Sequence, residues 1–265
     1  MAAEDLVIET LQDRVLTLLI NRPASNNALN SELNLRLHHA IASAARRDEV
    51  GAVVLTGAGR NFCVGGDMKV LSGPREPDAG AGGLDQALQR GGEMCLTLHQ
   101  MGKPTFAMIR GAAAGGGLGL ALGCDFRFAD ETAKFAYAYT RIALSGDFST
   151  NYLLQKWLGP ARARTFALCS EIVDAPEAER IGLISRCIAS ASLEAETYRL
   201  ARDLANGPTA VLGRIKANLD ACWEKAPDGA LAVESCNFKL CSDSPDHREA
   251  VGAFVEQRPP RFHGV

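Results

Sequence analysis

Residues 111–123 read Gly-Ala-Ala-Ala-Gly-Gly-Gly-Leu-Gly-Leu-Ala-Leu-Gly, and they follow the apolar run Thr-Phe-Ala-Met-Ile at 105–109. The apolar run is typical of a buried strand, and the small residues after it predict a turn that opens a tightly packed helix. Because glycine carries no Cβ, a ligand can approach the backbone N–H groups of such a turn. The free N–H groups and the dipole at the start of the helix favour negative charge. Tight helix–strand packing alone would also explain the glycines.

Another glycine turn, the first of the two in chain order, reads Phe-Cys-Val-Gly-Gly-Asp-Met-Lys at 62–69 and follows an apolar strand at 52–56. Neither turn has the G-x-x-x-x-G-K-[ST] spacing of a phosphate loop. The dinucleotide motif G-x-G-x-x-G is also absent, because Leu122 stands three residues beyond Gly119. The two turns therefore predict backbone donors without a nucleotide fingerprint.

Strands alternate with helices along most of the chain, which predicts an α/β fold with crossover connections. Residues 6–10 and 15–21 read as a β-hairpin, and Ser31 is placed to cap the first helix. Residues 73–92 are rich in glycine and proline and predict a mobile flap. The remaining predicted helices cover 193–205, 209–224, 231–241 and 246–257.

This pattern divides the chain into an α/β body at 1–191 and a helical region at 192–265. The 265 residues correspond to one large domain, or to one domain and an appendage. A formal net charge of −3 gives no basic surface for nucleic acid or an anionic membrane. No stretch is apolar over the ~18 residues that cross a bilayer, so no membrane span is predicted.

Eight cysteines include no C-x-x-C pair, and the five histidines lack the spacing of metal ligands. No metal site is therefore predicted, and most thiols are expected to be buried small apolar side chains. The first five residues, Met-Ala-Ala-Glu-Asp, lack the apolar segment of a signal peptide. A cytoplasmic location is accordingly predicted.

Several short segments occur along the chain in an order and at a spacing that are typical of one protein family. They are Asn-Arg-Pro at 21–23, Asn-Ala-Leu-Asn at 27–30, 53–63, 65–69, Lys-Pro at 103–104, 111–117, 124–129 and Phe-Val-Glu-Gln-Arg at 254–258. On these segments the chain resembles the enoyl-CoA hydratase/isomerase (crotonase) superfamily over nearly its whole length. The resemblance implies a crotonase-like spiral of ββα turns. It also implies that the C-terminal helical region supports a homotrimer or a hexamer.

The resemblance also assigns roles to the two glycine turns. In this family two backbone N–H groups hold the thioester oxygen as it becomes an enolate, and they map onto Gly66 and Gly116. The implied substrate is an acyl-CoA thioester, so coenzyme A arrives with the substrate and no separate cofactor is implied. Ala24 stands where many relatives place a lysine for a CoA phosphate, and Arg22 is a candidate replacement. The other residues expected around CoA are Asn27, Ala28, Asp67, Met68 and Lys69.

The reaction is expected to depend on Asp147. Hydratases of the family use two glutamates, because one carboxylate activates water while the other delivers a proton. The aligned positions here are Gly119 and Tyr139. Asp147 lies where isomerases of the family carry an aspartate, and one carboxylate suffices for a 1,3-proton shift. The prediction is double-bond isomerisation of an enoyl-CoA, with capping of the next helix as the alternative role of Asp147.

Other functions remain open from the residues alone. The chain could be a hydratase, as a family label would have it, or a hydrolase or dehalogenase with Asp147 as nucleophile. Gly92 replaces the histidine that dehalogenases use, which counts against that reading. Tyr139 would suit an acyl-CoA decarboxylase. It is predicted to share one strand face with Tyr137, which is predicted to be core. A non-catalytic acyl-CoA-binding trimer is the last alternative.

Overall fold

The computed structural model describes residues 5–73 and 83–264. Its larger sheet has six strands, β1 Val7–Gln12, β2 Val15–Ile20, β3 Ala52–Gly57, β4 Thr105–Ile109, β6 Phe126–Asp130 and β9 Arg186–Ile188. They lie in the order β1-β2-β3-β4-β6-β9. β1 and β2 are antiparallel, which confirms the predicted hairpin, and the other neighbours pair in parallel. A smaller sheet consists of β5 Ala112–Ala114, β7 Lys134–Ala136 and β8 Ile172–Asp174.

Helices connect and cover the strands. They are α1 Ser31–Arg46, α2 Met68–Leu71, α3 Gly83–Gln100, α4 Gly116–Gly123, α5 Thr150–Cys169, α6 Ala175–Arg180, α7 Ser190–Ala205, α8 Thr209–Glu224, α9 Pro227–Ser242 and α10 Pro245–Val255. α5 is kinked at Gly159, which precedes Pro160 and has non-helical dihedrals. Within the described residues, no helix is long and apolar enough to cross a membrane.

The larger sheet has an apolar core on each face. One core lies between the sheet and α1, α3 and α4, and it includes Leu37, Cys95 and Leu120. On the other face of the sheet, Leu193 and Ala201 of α7 pack against the strand side chains that point to that face. The boundary drawn between residues 191 and 192 therefore falls inside a helix that shares the core of the sheet, and the division into two regions stays a prediction.

Local features differ from the sequence predictions in three places. α1 is capped by Asn30, whose Oδ1 accepts the N–H of Leu33 at 2.9 Å, and not by Ser31. Residues 83–92 of the predicted flap belong to α3, while residues 74–82 lie outside the described part of the chain. The prediction that most thiols are buried is wrong: the buried ones are Cys63, Cys95 and Cys124.

Candidate active site

The first glycine turn holds the Gly66 amide beside the start of α2. Leu29 donates its N–H to Gly65 O at 2.8 Å, and its carbonyl accepts from Asp67 N at 3.0 Å. These two bonds form a parallel bridge in which Gly66 is opposite Leu29. The N–H of a residue at the centre of such a bridge faces the other side. Among the described residues, the Gly66 N–H has no backbone acceptor.

The second glycine turn presents the first N–H group of α4. Gly115 donates to Ala136 O at 3.1 Å, and the first bond of the helix runs from Gly119 N to Gly115 O. Gly116 therefore lies in the first turn, where N–H groups have no partner within the helix. The confirmed start of α4 at Gly116 is the helix opening that the sequence predicts.

The two turns are in contact with each other. A Cβ built on Gly65 would lie 3.4 Å from Gly116 N and 2.7 Å from Ala114 O. Gly65 also has a φ of 88°, so this position requires glycine. The structure thus brings the two predicted donors to adjoining turns. That both N–H groups bind one thioester oxygen stays a prediction.

The half-buried Asp147 and the buried Tyr139 form a pair beside these turns. The Tyr139 hydroxyl donates to Asp147 Oδ1, and its Cζ lies 3.8 Å from a Cβ built on Gly115. Burial raises the pKa of the Asp147 carboxyl, and the bond from Tyr139 partly offsets that rise. Burial and the nearby carboxylate raise the pKa of Tyr139. The phenol is therefore neutral and able to donate.

The capping role considered for Asp147 is not what the structure contains. α5 begins at Thr150 after Ser149, and no side chain caps it. Asp147 contributes only its carbonyl, which accepts from Thr150 N at 3.0 Å. Its carboxyl group is thus available for the pair with Tyr139.

The prediction that Tyr137 and Tyr139 share a strand face is wrong. β7 ends at Ala136, Ala138 has a φ of 64°, and Tyr139 begins the 3₁₀ turn Tyr139–Ile142. Tyr137 is buried, as predicted for a core residue. Its hydroxyl lies 2.7 Å from Ser145 O, so it also supports the loop that carries Asp147.

The space at Gly119 is already occupied. A Cβ built there would lie 2.7 Å from Thr150 Oγ1 and 2.8 Å from both Cβ and O of Phe148. No side chain fits at this position unless the segment carrying Phe148 moves. The sequence pattern does not indicate that Phe148 fills this space, because the residues that Phe148 contacts are far away in the chain.

Residues predicted to surround CoA have mixed environments. Asn27 is fully buried, and its Nδ2 donates to Ala58 O at 3.0 Å and Asn61 O at 2.7 Å. Its Oδ1 accepts from Arg22 N at 2.9 Å. The Asn27 side chain therefore connects the loop segments at Arg22, Ala58 and Asn61. A contact with CoA would have to come from its main chain.

Arg22 is tied to the protein by both terminal nitrogens. One donates to Ala28 O, and the other forms an ion pair with Asp67 Oδ2 at 3.1 Å. Asp67 also caps α2 by accepting from Lys69 N at 3.1 Å. A contact between Arg22 and a CoA phosphate stays a prediction, and the pairing with Asp67 is a role that the sequence did not indicate.

The surface beside Gly66 is apolar and open. Met68, Val70 and Leu71 of α2 are exposed, and Leu71 Cδ1 lies 3.1 Å from a Cβ built on Gly66. Exposed apolar side chains next to unpaired backbone donors are typical of a site that takes an apolar chain with a polar head.

Comparisons with known proteins give a consistent result. The family model described as enoyl-CoA hydratase/isomerase matches residues 10–265. The 1,2-epoxyphenylacetyl-CoA isomerase of Escherichia coli (strain K12) is 33% identical over 98% of this chain and 99% of its own length. The crotonyl-CoA hydratase of Syntrophomonas wolfei is 32% identical, covering 99% of both chains.

A solved structure of enoyl-CoA hydratase from Mycobacterium smegmatis superposes with a TM-score of 0.89 at 27% identity. The match covers 98% of this chain and 100% of that one. The predicted crotonase-like α/β fold is confirmed by this likeness and by the family match. The chain belongs to the enoyl-CoA hydratase/isomerase family, the crotonase superfamily, whose members are acyl-CoA enzymes.

Proposed function

We propose that this enzyme isomerises the double bond of an enoyl-CoA thioester with Asp147 as its single acid–base group. The observation that carries the proposal is the half-buried Asp147 carboxyl, bonded to Tyr139 and placed beside the two glycine turns. No carboxylate stands at Gly119 or Tyr139, where hydratases of the family hold theirs. One carboxylate can take and return one proton, but activating water as well would need a second group.

The steps follow from the positions of these groups. The N–H groups of Gly66 and Gly116 donate to the thioester oxygen. The Asp147 carboxylate removes a proton from the carbon next to the double bond, and the electrons spread into a dienolate. The resulting carboxylic acid returns the proton to the other end of the dienolate, so no atom is gained or lost. Each backbone donor is worth about 3 kcal/mol, because it acts on charge that develops only in the transition state.

The environment of Asp147 suits a group that works in both directions. A carboxyl with a raised pKa is a stronger base once ionised and can still return the proton. The bond from Tyr139 occupies Oδ1 and leaves Oδ2 for the substrate. Tyr139 thus orients the carboxyl, and in this proposal it does not take part in a decarboxylation.

The relatives' names support two reactions. The E. coli relative is named an isomerase of 1,2-epoxyphenylacetyl-CoA, which is an epoxide and not an enoyl thioester, and the Syntrophomonas relative is named a crotonyl-CoA hydratase. Hydration is therefore the second candidate. The packed space at Gly119, filled by Phe148 and Thr150, favours isomerisation over hydration.

Asp147→Asn is the direct test. We expect its kcat/KM for a 3-enoyl-CoA, followed by the absorbance of the 2-enoyl thioester, to fall about 10²–10⁴-fold. Crotonyl-CoA hydration, measured beside it, should be much slower than isomerisation in the unchanged protein. Full isomerisation by the variant, or hydration as the faster reaction, would overturn the proposal.

The pH dependence gives an independent check. The base works as a carboxylate, so activity is expected to fall as the pH drops through the raised pKa of Asp147, at a midpoint above the ordinary value of about 3.9. The same raised pKa means that the charge disfavours the folded state at neutral pH. Asp147→Asn should thus unfold at an equal or higher temperature, which separates lost catalysis from lost folding.

We also propose that two further copies of this chain cover its exposed C-terminal apolar surface, giving a homotrimer or a pair of trimers. The surface consists of Ile215, Leu219, Trp223, Leu231 and Phe238 on α8 and α9. These side chains are about half to three-quarters exposed, which is unusual for a contiguous apolar face of a monomer.

A further inference from the structure

Phe148, the residue after Asp147, packs against three glycines, two of which contact its ring and one its Cβ. A Cβ built on Gly91 would lie 2.8 Å from Phe148 Cε2, and one built on Gly116 would lie 3.0 Å from Phe148 Cδ2. A Cβ built on Gly119 would lie 2.8 Å from Phe148 Cβ. Gly91 belongs to α3 and the other two glycines to α4, so the ring joins two helices. We call Gly91, Gly116 and Gly119 the Phe148 socket.

The backbone around Phe148 has an unusual conformation. Phe148 and Ser149 have φ values of 52° and 50°, and Gly146 has a φ of 104°. Left-handed dihedrals cost free energy in bulky residues and persist only where surrounding contacts impose them. Phe148 is 7% exposed, so burial of its ring is a contact that can offset this cost.

Polar contacts hold this loop on both sides of Asp147, whose own carbonyl accepts from Thr150 N at 3.0 Å. The Tyr137 hydroxyl and Asn151 Nδ2 both lie within hydrogen-bond distance of Ser145 O, at 2.7 Å and 3.1 Å. On the other side of Asp147, Ser149 Oγ donates to Gly92 O at 3.3 Å, a long bond. Asp147 therefore lies between a polar anchor and the ring of Phe148.

We propose that Phe148 is a positioning residue, whose ring in the Phe148 socket holds the Asp147 carboxyl against Tyr139 and beside the Gly116 N–H. The Phe148 ring packs against α4 at Gly116, and Phe148 directly follows Asp147 in the chain. Phe148 therefore links the Gly116 N–H to the proposed acid–base group. The role in catalysis rests on the proposed function, whereas the role in holding the carboxyl does not.

The groups around Asp147 determine how its pKa should change when the Phe148 ring is removed. Tyr139 donates to the carboxyl, while Tyr137 from the segment after β7 and Cys95 from α3 interact with it at longer range. Thr150 of α5 presents its hydroxyl 3.5 Å from the Tyr139 hydroxyl. Releasing the ring would admit water to the carboxyl, so the pKa of Asp147 should fall towards its ordinary value.

The experiment compares Phe148→Ala with Phe166→Ala in the full-length protein. Phe166 lies in the second half of α5 and is similarly buried, at 4% exposure. We expect Phe148→Ala to lose about 10²-fold in kcat, since small displacements of a catalytic group cost that much, with KM changing far less. The acid limb of its pH–rate profile should move to lower pH. Phe148→Leu should recover most of both effects.

Phe166→Ala is expected to lower the unfolding temperature by a comparable amount while leaving the pH profile unchanged. Gly91→Ala crowds the socket from α3 and should reproduce the shift of the acid limb without removing the ring. This second variant keeps the proposal testable if Phe148→Ala does not fold.

A readout that needs no turnover separates the two proposals. Titration of the Asp147 carboxyl by ¹³C NMR should give a lower pKa in Phe148→Ala than in the unchanged protein, even if Asp147→Asn leaves isomerisation intact. An unchanged Asp147 titration in both Phe148→Ala and Gly91→Ala would overturn the positioning role. A lowered pKa in Phe166→Ala as well would also overturn it, because the effect would then be a general loosening.

Discussion

Arg22 and Asp67 join two loops beside the Gly66 amide. Their ion pair spans 3.1 Å, and the side chains are only 18% and 12% exposed. The guanidinium also holds the Ala28 carbonyl, while Leu29 holds the other side of the glycine turn through backbone bonds. A planar donor can satisfy both acceptors in fixed geometry, which lysine cannot do. The position of the Gly66 N–H therefore depends on side chains that need not touch substrate.

Arg22→Gln is expected to lower kcat and the unfolding temperature together, because it leaves the buried Asp67 carboxylate without its cation. Asp67→Asn should have a smaller effect, and the double variant should cost less than the sum of the two. We expect a coupling free energy of unfolding of about 1–3 kcal/mol from the double-mutant cycle. Additive effects of the two substitutions would show that the pair does not support the turn.

Sequence alone supplies the candidates for the reacting residues but not the contacts that support them. Asp147 and Tyr139 could be selected as candidates from their aligned positions, but their bond depends on the 3₁₀ turn that begins at Tyr139. Asn27 was expected near CoA, yet its side chain bonds to carbonyls 31 and 34 residues away. Such partners are set by the tertiary fold, and no local pattern reveals them.

At the scale of elements, α8 attaches to the rest of the chain through its charged face. Lys216 Nζ lies 2.7 Å from Asp125 Oδ2, and Asp220 Oδ1 lies 2.5 Å from Lys156 Nζ and 3.1 Å from His99 Nε2. His99 is 4% exposed, and burial lowers its pKa, so it is neutral. The Lys156–Asp220 pair therefore carries the charge of this cluster.

Asp220→Ala is expected to destabilise the protein by about 3 kcal/mol, because Lys156, whose side chain is 9% exposed, loses its carboxylate partner and is left beside the neutral His99. Chemical denaturation of the full-length protein measures this change. Asp203→Ala is the matched control, since Asp203 pairs with Arg199 on an exposed surface and should cost at most about 0.5 kcal/mol. Similar losses in the two variants would contradict the assignment.

The bounds of elements were predicted more accurately than their orientation. Residues 209–224 were expected to be helical, and α8 has those bounds. An amphipathic helix ordinarily turns its apolar face inward, so the inward charges of α8 could not be foreseen. Residues 83–92 were assigned to a flap because of their glycines. In α3, Gly91 and Gly92 instead allow Phe148 and Ser149 to approach the helix closely.

At the scale of the whole molecule, the proposed assembly rests on the exposed apolar side chains of α8 and α9. Leu219 is 65% exposed and Phe238 is 76% exposed. The overall fold could be predicted because its segments occur in a recognisable order. The assembly could not be predicted in the same detail, because the sequence does not show which apolar residues remain uncovered after folding.

Replacing Leu219 and Phe238 together by glutamate is expected to produce monomers in sedimentation velocity, while the unchanged protein sediments as a trimer or hexamer at micromolar concentration. The unfolding temperature of the unchanged protein should also rise with concentration. Leu168→Glu, at the end of α5, alters a leucine that is 75% exposed and should leave the sedimenting mass unchanged. A monomeric unchanged protein would refute the assembly.

The unpaired N–H groups at Gly66 and Gly116 have a consequence for how such an enzyme can diversify. They belong to the polypeptide itself, so a substitution at either position by any residue except proline can shift a donor but cannot delete it. The carboxyl of Asp147 belongs to a side chain, which a single nucleotide change can replace. A lineage built on this scaffold could therefore alter its reaction while retaining the two backbone donors that we propose bind an enolate. Laboratory evolution that randomises residue 147 would sample that freedom first.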